Sequence, residues 1–443
     1  MRCGAPASLH VMNRRATVAL RAFAALLPAV LLGWTLLGLT LGMQRLRDDP
    51  AAAHAWAPQS AAAAAALAQQ RLDAGDAAQA GRLARAALVD SPLAATAYRV
   101  LGQIALQAGN GAAAEARFRI AARLDPRDAA TQAWLADADL RAGRLQSALW
   151  HLDALLRVHP ALGVRLYPQL LMLARVPGAG TDYRAVFAAR PPWAGGFFRW
   201  ACTQPPADDA PVLVLFGALH AVPGALDDGD WSAYLDRLIG QQRWMAAYRA
   251  WVESLSASQQ QHLDNIYDGD FHDTPSNRGF DWRIGYVPGV EIATGLQGDA
   301  PGSALRLHFL GQRVPLWGQV AQLLVLAPGR YRVGGQAWLD NLQNHRGLQW
   351  VLSCAGNGRV LGASARLRGS QPWRAFGFEV EVPAAGQGCG AQWLSLHLAY
   401  RIAAEQWAEG RAAFTGLRAV RMPAAALAAA AAGPELRHAA KRQ

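Results

Sequence analysis

Residues 67–92 read LAQQRLDAGDAAQAGRLARAALVDSP, residues 101–126 read LGQIALQAGNGAAAEARFRIAARLDP, and residues 135–160 read LADADLRAGRLQSALWHLDALLRVHP. Each segment has a glycine between two helix-length runs and a proline at its end. A glycine suits the left-handed turn that ends a helix, and a proline cannot continue the helical hydrogen-bond ladder. The pattern therefore predicts three antiparallel helix pairs. The positions that recur every 34 residues are Gly75, Gly109 and Gly143, and Pro92, Pro126 and Pro160.

This period and these residue types resemble the tetratricopeptide repeat family, whose unit has 34 residues. The resemblance implies an all-α solenoid over residues 61–160, with a groove that binds a protein partner. A simple spacer is the alternative interpretation, because the predicted helix faces show no concentrated set of charged or amide side chains. Residues 161–262 are interpreted as an irregular helical extension of the array. The middle unit matches best, at Tyr98, Leu101, Gly102, Ala114, Phe118, Ala121 and Pro126.

The N-terminal region contains an uncharged run at residues 22–44, which is long enough as a helix to cross a hydrocarbon core of about 30 Å. A cleaved signal peptide is the competing interpretation, but its apolar region has typically about 7–15 residues. We therefore predict a transmembrane helix over 22–44, a cytoplasmic N-terminus over 1–21 and a linker over 45–60. The arginine excess before the run predicts that the rest of the chain is extracytoplasmic, in the periplasm of a bacterial inner-membrane protein.

The formal charge of +11 does not predict nucleic-acid binding. The cations are arginines apart from Lys441, and they are dispersed along the chain rather than concentrated among aromatic residues. The chain is 52% hydrophobic and 17% charged, a composition that excludes wholesale disorder. A folded, multidomain protein without a nucleic-acid partner is expected.

The hydrophobic period changes to two near residue 263. Residues 304–310, 376–382 and 393–400 alternate between apolar and polar side chains, and glycine-rich turns separate them. Short alternating strands with such turns are typical of an antiparallel sandwich. We predict an all-β jelly-roll sandwich over 263–422 and a disordered tail over 423–443.

The segment from Asn265 to Phe271, Trp282, and the turn from Pro328 to Tyr331 resemble the galactose-binding-like family, to which many carbohydrate-binding modules belong. The resemblance implies a glycan partner. It also implies a structural calcium ion, for which Asp268 and Asp270 are the remaining candidate ligands. His272 and Thr415 or Gly416 stand where the family often has its other acids, which argues against calcium. No other cofactor and no metal site are expected.

Glycans bind where an aromatic face meets planar polar groups. The candidate binding residues are Trp317, Asn344, Arg346, Gln349 and Trp350. Core packing is the alternative role for each tryptophan. Cys354 and Cys389 lie in the predicted sandwich, and we expect them to form a disulfide in an oxidising compartment.

The sequence lacks the common catalytic motifs, including a Walker loop, a Gly-x-Ser-x-Gly elbow and a His-Glu-x-x-His helix. We therefore expect no enzyme. The prediction is a membrane-anchored scaffold in exopolysaccharide or other envelope assembly, with a protein partner and a glycan partner. A pure protein–protein assembly factor without glycan binding is the main alternative, and a glycan-active enzyme is a third.

Overall fold

The computed structural model describes residues 48–205, 209–296, 302–384 and 387–423, together with Thr40 and residues 44–46. These residues fall into two compact units, one within 1–198 and 209–225 and the other within 199–208 and 226–443. The predicted membrane segment, apart from Thr40 and Gln44, and the predicted tail beyond Pro423 lie outside the described residues. Among the residues that are described, no helix is both long enough and apolar enough to cross a bilayer.

The first unit is all-α and contains three helix pairs. Each first helix and each second helix begins 34 residues after its predecessor. The turns within the pairs use Gly75, Gly109 and Gly143, with φ of 86°, 77° and 72°. The pairs follow helix α1 (Pro50–Trp56) and consist of α2 (Ala61–Asp73) with α3 (Ala77–Asp90), α4 (Ala95–Gln107) with α5 (Gly111–Leu124), and α6 (Ala129–Arg141) with α7 (Leu145–Val158).

Small residues let these helices approach closely. Ala80, Ala84 and Ala97 are fully buried in the first part of the array. A Cβ atom on Gly102 would lie 3.2 Å from the ring of Phe118, which stacks on Trp134 with ring centroids 4.3 Å apart. The residue types of the repeat are therefore explained by packing between neighbouring helices.

The remaining helices of this unit are less regular and pack through aromatic side chains. Tyr183, Phe187 and Phe197 are almost completely buried. The Nε1 of Trp193 donates a hydrogen bond of 2.8 Å to the carboxylate of Asp153. A short 3-10 turn (Pro160–Leu162) leads into α8 (Gly163–Leu173), α9 (Ala179–Ala188), α10 (Ala194–Thr203), whose last residues belong to the second unit, and α11 (Ala210–His220).

The second unit combines helices with an antiparallel β-sandwich. Its elements are α12 (Asp228–Gly240), α13 (Trp244–Ser254), α14 (Ala257–Gln260), β1 (Arg283–Ile284), β2 (Val290–Ala293), β3 (Leu305–Arg313), β4 (Trp317–Leu324), β5 (Gly329–Asn344), β6 (Leu348–Cys354), β7 (Val360–Ala363), β8 (Gly369–Val382), β9 (Gln392–Leu398), a 3-10 turn (Ala403–Gln406) and β10 (Trp407–Arg421). One sheet, here sheet A, has the strand order β1-β4-β9-β6-β7, and the other, sheet B, has the order β2-β3-β10-β5-β8.

Helices α12 and α13 belong to the sandwich unit, whereas the sequence had grouped them with the array. The ring of Trp251 on α13 meets Tyr267 edge-on at 5.0 Å and Phe280 at 5.7 Å. A Cβ atom on Gly279 would lie 2.7 Å from the Trp251 ring. These contacts fix α13 against the segment that precedes β1.

The opening loop of the sandwich, residues 266–273, is held by buried polar contacts. The Gln322 side chain accepts a hydrogen bond from the Tyr267 amide at 3.0 Å and donates one to its carbonyl at 2.8 Å. The Nε1 of Trp282 donates to the Asp268 carbonyl at 3.1 Å. Gly269 lies so close to the last strand that a Cβ atom would sit 2.0 Å from the Leu417 carbonyl oxygen. The loop is therefore a rigid part of the sandwich.

Candidate ligand-binding site

An exposed aromatic cluster lies on the outer face of sheet A. Trp317, the first residue of β4, is 54% exposed, more than any other tryptophan among the described residues. Its ring centroid lies 4.3 Å from that of His397 on β9 and 5.3 Å from that of Tyr400, which it meets edge-on. These two neighbours hold the indole in place while much of it remains open to solvent.

The strand register brings Gln349 into line with this cluster. Trp317 pairs with His397, and His397 pairs with Gln349 on β6. Leu396 and Leu398 belong to the core, so the pleat directs His397 to the outer face. By the same alternation Gln349, between two core residues, also faces outward. Among the described residues, none forms a hydrogen bond with the side-chain amide of Gln349, so this group is available to a ligand.

His397 is held as a neutral hydrogen-bonding group. Its Nε2 lies 2.7 Å from the Ser395 hydroxyl. Burial lowers the pKa of His397 to about 4, because the charged imidazolium would lose hydration there. A neutral imidazole has one donor and one acceptor nitrogen, so the cluster can exchange hydrogen bonds without carrying a charge.

A local irregularity sets the position of Trp317. The register between β4 and β9 shifts between Trp317 and Val320, where Gly318 adopts a φ of 87°. The Gln319 side chain accepts a 2.6 Å hydrogen bond from the Trp317 amide. On the other side of β4, the Gly285 amide donates to the Gln319 carbonyl, and Tyr286 beside it is 89% exposed. Tyr286 is therefore an exposed aromatic residue beside the segment that pairs with β4.

Arg346 and Asn344 stabilise the loop between β5 and β6, which lies next to the cluster of Trp317, His397 and Tyr400. The Arg346 guanidinium donates two hydrogen bonds to Glu405, at 2.6 and 3.0 Å, and lowers the pKa of Glu405 to about 2. The Asn344 side chain accepts a hydrogen bond from the Gly347 amide. The Ala399 amide donates to the Gly347 carbonyl at 3.0 Å, which ties this loop to the segment that carries Tyr400.

Trp350 corrects one of the expectations from the sequence. It is 1% exposed and packs in the sandwich core, 5.9 Å from Trp282 and 5.5 Å from Phe414. It adjoins Gln349 in β6, and adjacent residues of a strand face opposite sides of the sheet. Trp350 therefore cannot offer its ring to a ligand.

Cys354 and Cys389 form a disulfide at the opposite end of the same sheet. Cys354 is the last residue of β6 and pairs with Gln392 on β9. Gln349 lies five residues earlier in the same strand, about 17 Å away at the usual rise per residue. The disulfide and the aromatic cluster are thus separate features of sheet A.

The two candidate calcium ligands, Asp268 and Asp270, have other partners. The two Asp268 oxygens accept hydrogen bonds from the amides of His272 and Asp273, each at 2.9 Å. Asp270 faces Arg418 at 3.6 Å. The Asp268 carboxylate therefore orders the opening loop through the backbone.

His397 and Tyr400 were not among the candidate residues selected from the sequence. A signal for His397 was present, since residues 393–400 alternate and Leu396 and Leu398 are apolar. The pairing of β9 between β4 and β6, which brings His397 beside Trp317, depends on the topology of the sheet.

No protein-family model matches this sequence, and no curated protein is similar enough to count as a match. The β-sandwich resembles carbohydrate-binding modules of known structure. A CBM4 module is 14% identical, with a TM-score of 0.26, and the match covers 35% of this chain and 99% of that one. A CBM6 module from a Cellvibrio mixtus lichenase, in complex with cellotriose, is 14% identical over 32% of this chain and 92% of that one, with a TM-score of 0.21. The CBM22-1 xylan-binding domain of Paenibacillus barcinonensis Xyn10C is 13% identical over 35% and 93%, with a TM-score of 0.22.

Proposed function

We propose that the sandwich binds a neutral polysaccharide at the face formed by Trp317, His397, Gln349 and Tyr400, within a membrane-anchored scaffold that is not an enzyme. The single observation that carries this proposal is the exposed indole of Trp317, which is fixed against the rings of His397 and Tyr400. The side-chain amide of Gln349 lies in line with it across the sheet. Fixed aromatic surface with a few convergent polar groups is what small-molecule and sugar sites share.

The charge state of the face favours a neutral ligand. His397 is neutral at neutral pH, since burial lowers its pKa to about 4, and Gln349 has no charge. The nearest cation of the predicted set, Arg346, is already paired with Glu405. An acidic glycan would therefore gain little from this face compared with a neutral one.

The test is affinity electrophoresis of the purified, detergent-solubilised full chain in native gels that contain neutral or acidic polysaccharides. We expect retardation by at least one neutral polymer, and a loss of affinity of about 10- to 100-fold in Trp317→Ala, as for other central aromatic anchors. Trp150→Ala is the matched control, because Trp150 is an exposed tryptophan on α7. No retardation by any polysaccharide would support a pure protein–protein assembly factor instead.

For the helical unit we propose a tetratricopeptide-type array that binds a protein partner. The support is the 34-residue spacing of the three helix pairs and the left-handed glycine in each turn. Stacked helix pairs of this kind create an extended concave surface. Co-purification of a partner by the full chain, and its loss when residues 61–160 are replaced, tests this assignment.

The proposed location is the bacterial inner membrane, with the segment 22–44 as the anchor and both units in the periplasm. The support is the uncharged run with its excess of preceding arginines, together with a disulfide that needs an oxidising compartment. A part in exopolysaccharide or other envelope glycan assembly follows from combining the anchor, the array and the glycan face. A reporter fused after residue 423 that is active only in the periplasm would agree with this topology.

A further inference from the structure

Two histidines and a carboxylate meet beside the opening loop of the sandwich. His262 follows helix α14, whereas His272 and Asp273 lie in the loop. The Nδ1 atoms of His262 and His272 lie 3.0 Å and 3.5 Å from the two Asp273 oxygens, and one ligand atom from each residue lies within 4.8 Å of the others. The spacing of these residues along the chain is not that of a common metal-binding motif, so the set is visible only in the folded structure.

The three side chains lie close enough together to bind one transition-metal ion. Zinc binds histidine nitrogen and carboxylate oxygen at about 2.0–2.2 Å, which puts neighbouring ligand atoms roughly 3.3 Å apart in a tetrahedron. The two histidine nitrogens lie 3.0 and 3.5 Å from different oxygens of Asp273, and without a metal the shorter contact is a hydrogen bond, so binding an ion requires only a small rearrangement of these side chains. Imidazole donors select zinc and similar ions over calcium or magnesium, which prefer oxygen.

Other contacts hold the three residues in place without a metal. The Asp268 carboxylate accepts hydrogen bonds from the backbone amides of both His272 and Asp273, and the Asp268 amide donates to the His262 carbonyl at 3.2 Å. The Tyr267 hydroxyl donates to Asp273 at 3.4 Å. Asp268 therefore orders both ligand-bearing segments, residues 272–273 through its carboxylate and His262 through its backbone amide. Contacts around the ligands of this kind support metal sites.

Space for a fourth ligand lies next to the cluster. His262 and His272 both line a cavity of about 320 Å³, whose wall also includes Asp264 and Arg418. A water molecule or an oxygen atom of a ligand can enter this space. Three protein ligands and an open position are the arrangement of an accessible metal site rather than a closed structural one.

We propose that His262, His272 and Asp273 bind one divalent transition-metal ion, zinc in the first instance, with an open coordination position toward this cavity. The ion links the segment that follows helix α14 to the opening loop of the sandwich. Binding is independent of the glycan face on sheet A, since none of its residues belongs to that face.

The test is metal binding by the purified full chain, prepared without a histidine tag and stripped with a chelator. We expect one Co²⁺ per chain with the visible absorption of tetrahedral cobalt, displacement by one equivalent of Zn²⁺, and a higher unfolding temperature with saturating zinc. His262→Ala and His272→Ala should each weaken zinc binding at least 10-fold in competition with a chromophoric chelator.

The matched control is His308→Ala, which removes an exposed histidine that faces Glu291 at 3.2 Å on sheet B. It should leave zinc affinity and stoichiometry unchanged. Circular dichroism and the unfolding temperature in excess chelator show that each variant is folded. The proposal is overturned if the stripped wild type binds no stoichiometric zinc below about 100 μM, or if the His262 and His272 variants bind it as tightly as the wild type.

Discussion

The disulfide between Cys354 and Cys389 permits a quantitative test of the sandwich. The bond closes a loop between residues 35 positions apart, and its two cysteines are 1% and 7% exposed. It joins the end of β6 to the segment before β9, the neighbouring strand of sheet A. Replacing both cysteines by alanine removes this restraint and leaves the hydrogen bonds between the strands.

The expected loss follows from the entropy of the unfolded chain. Closing a loop of about 35 residues restricts the unfolded state by roughly 13 cal/mol/K, which corresponds to about 3.8 kcal/mol at 25 °C. For a unit of about 200 residues, each kcal/mol shifts the unfolding temperature by roughly 2–4 °C. The Cys354→Ala/Cys389→Ala variant should therefore unfold about 8–15 °C below the oxidised wild type.

The assay is thermal unfolding of the full chain by circular dichroism, with and without a strong reductant. The unfolding temperature of the reduced wild type should fall nearly to that of the double variant. The reductant should not change the unfolding temperature of the double variant. Below its unfolding transition, the double variant should keep the polysaccharide affinity of the wild type, because the disulfide lies about 17 Å from the row of Trp317. A double variant within 2 °C of the oxidised wild type would refute the reasoning.

Two further predictions concern single residues. Gly269→Ala should destabilise the sandwich by about 3 kcal/mol or more, because the new Cβ would lie 2.0 Å from the Leu417 carbonyl oxygen. Gly240→Ala should stabilise the protein by about 0.5–1 kcal/mol, because its new Cβ would meet no atom within 4 Å. Urea unfolding of both variants tests this contrast. The pKa of His397 is lowered to about 4 in the folded protein, whereas an unfolded histidine has a pKa of about 6.5. Because the unfolded chain binds a proton at this histidine more tightly, the folded state loses stability as the pH falls from about 6.5 to 4. The His397→Gln variant should lose less stability than the wild type over that range, by roughly 3 kcal/mol at most; equal losses in urea titrations at both pH values would contradict this account.

The helix pairs could be predicted from the sequence because their signals are local. A glycine such as Gly109 and a proline such as Pro126 act within a few residues of their own positions. The unit to which helices α12 and α13 belong could not be predicted in this way. Trp251 shows the same helical spacing as residues of the array, but it contacts Tyr267 and Phe280, which precede β1.

The candidate site was partly predictable. Exposed Trp317 and outward Gln349 were both selected from the sequence, together with buried Trp350. Alternation of apolar and polar residues did not separate Gln349 from Trp350, because Val351, which faces outward like Gln349, is also apolar and buried. The proposed metal ligands His262 and His272 were not selected from the sequence, because only the fold brings their side chains beside Asp273.

The central claim is that the outer face of sheet A binds a polysaccharide through Trp317. The most direct measurement compares the affinity of wild type, Trp317→Ala and Trp150→Ala full chains for a neutral polysaccharide that retards the wild type in native gels. We expect an affinity about 10- to 100-fold lower for Trp317→Ala and an unchanged affinity for Trp150→Ala. Equal retardation of the wild type and Trp317→Ala, with both folded, would contradict it.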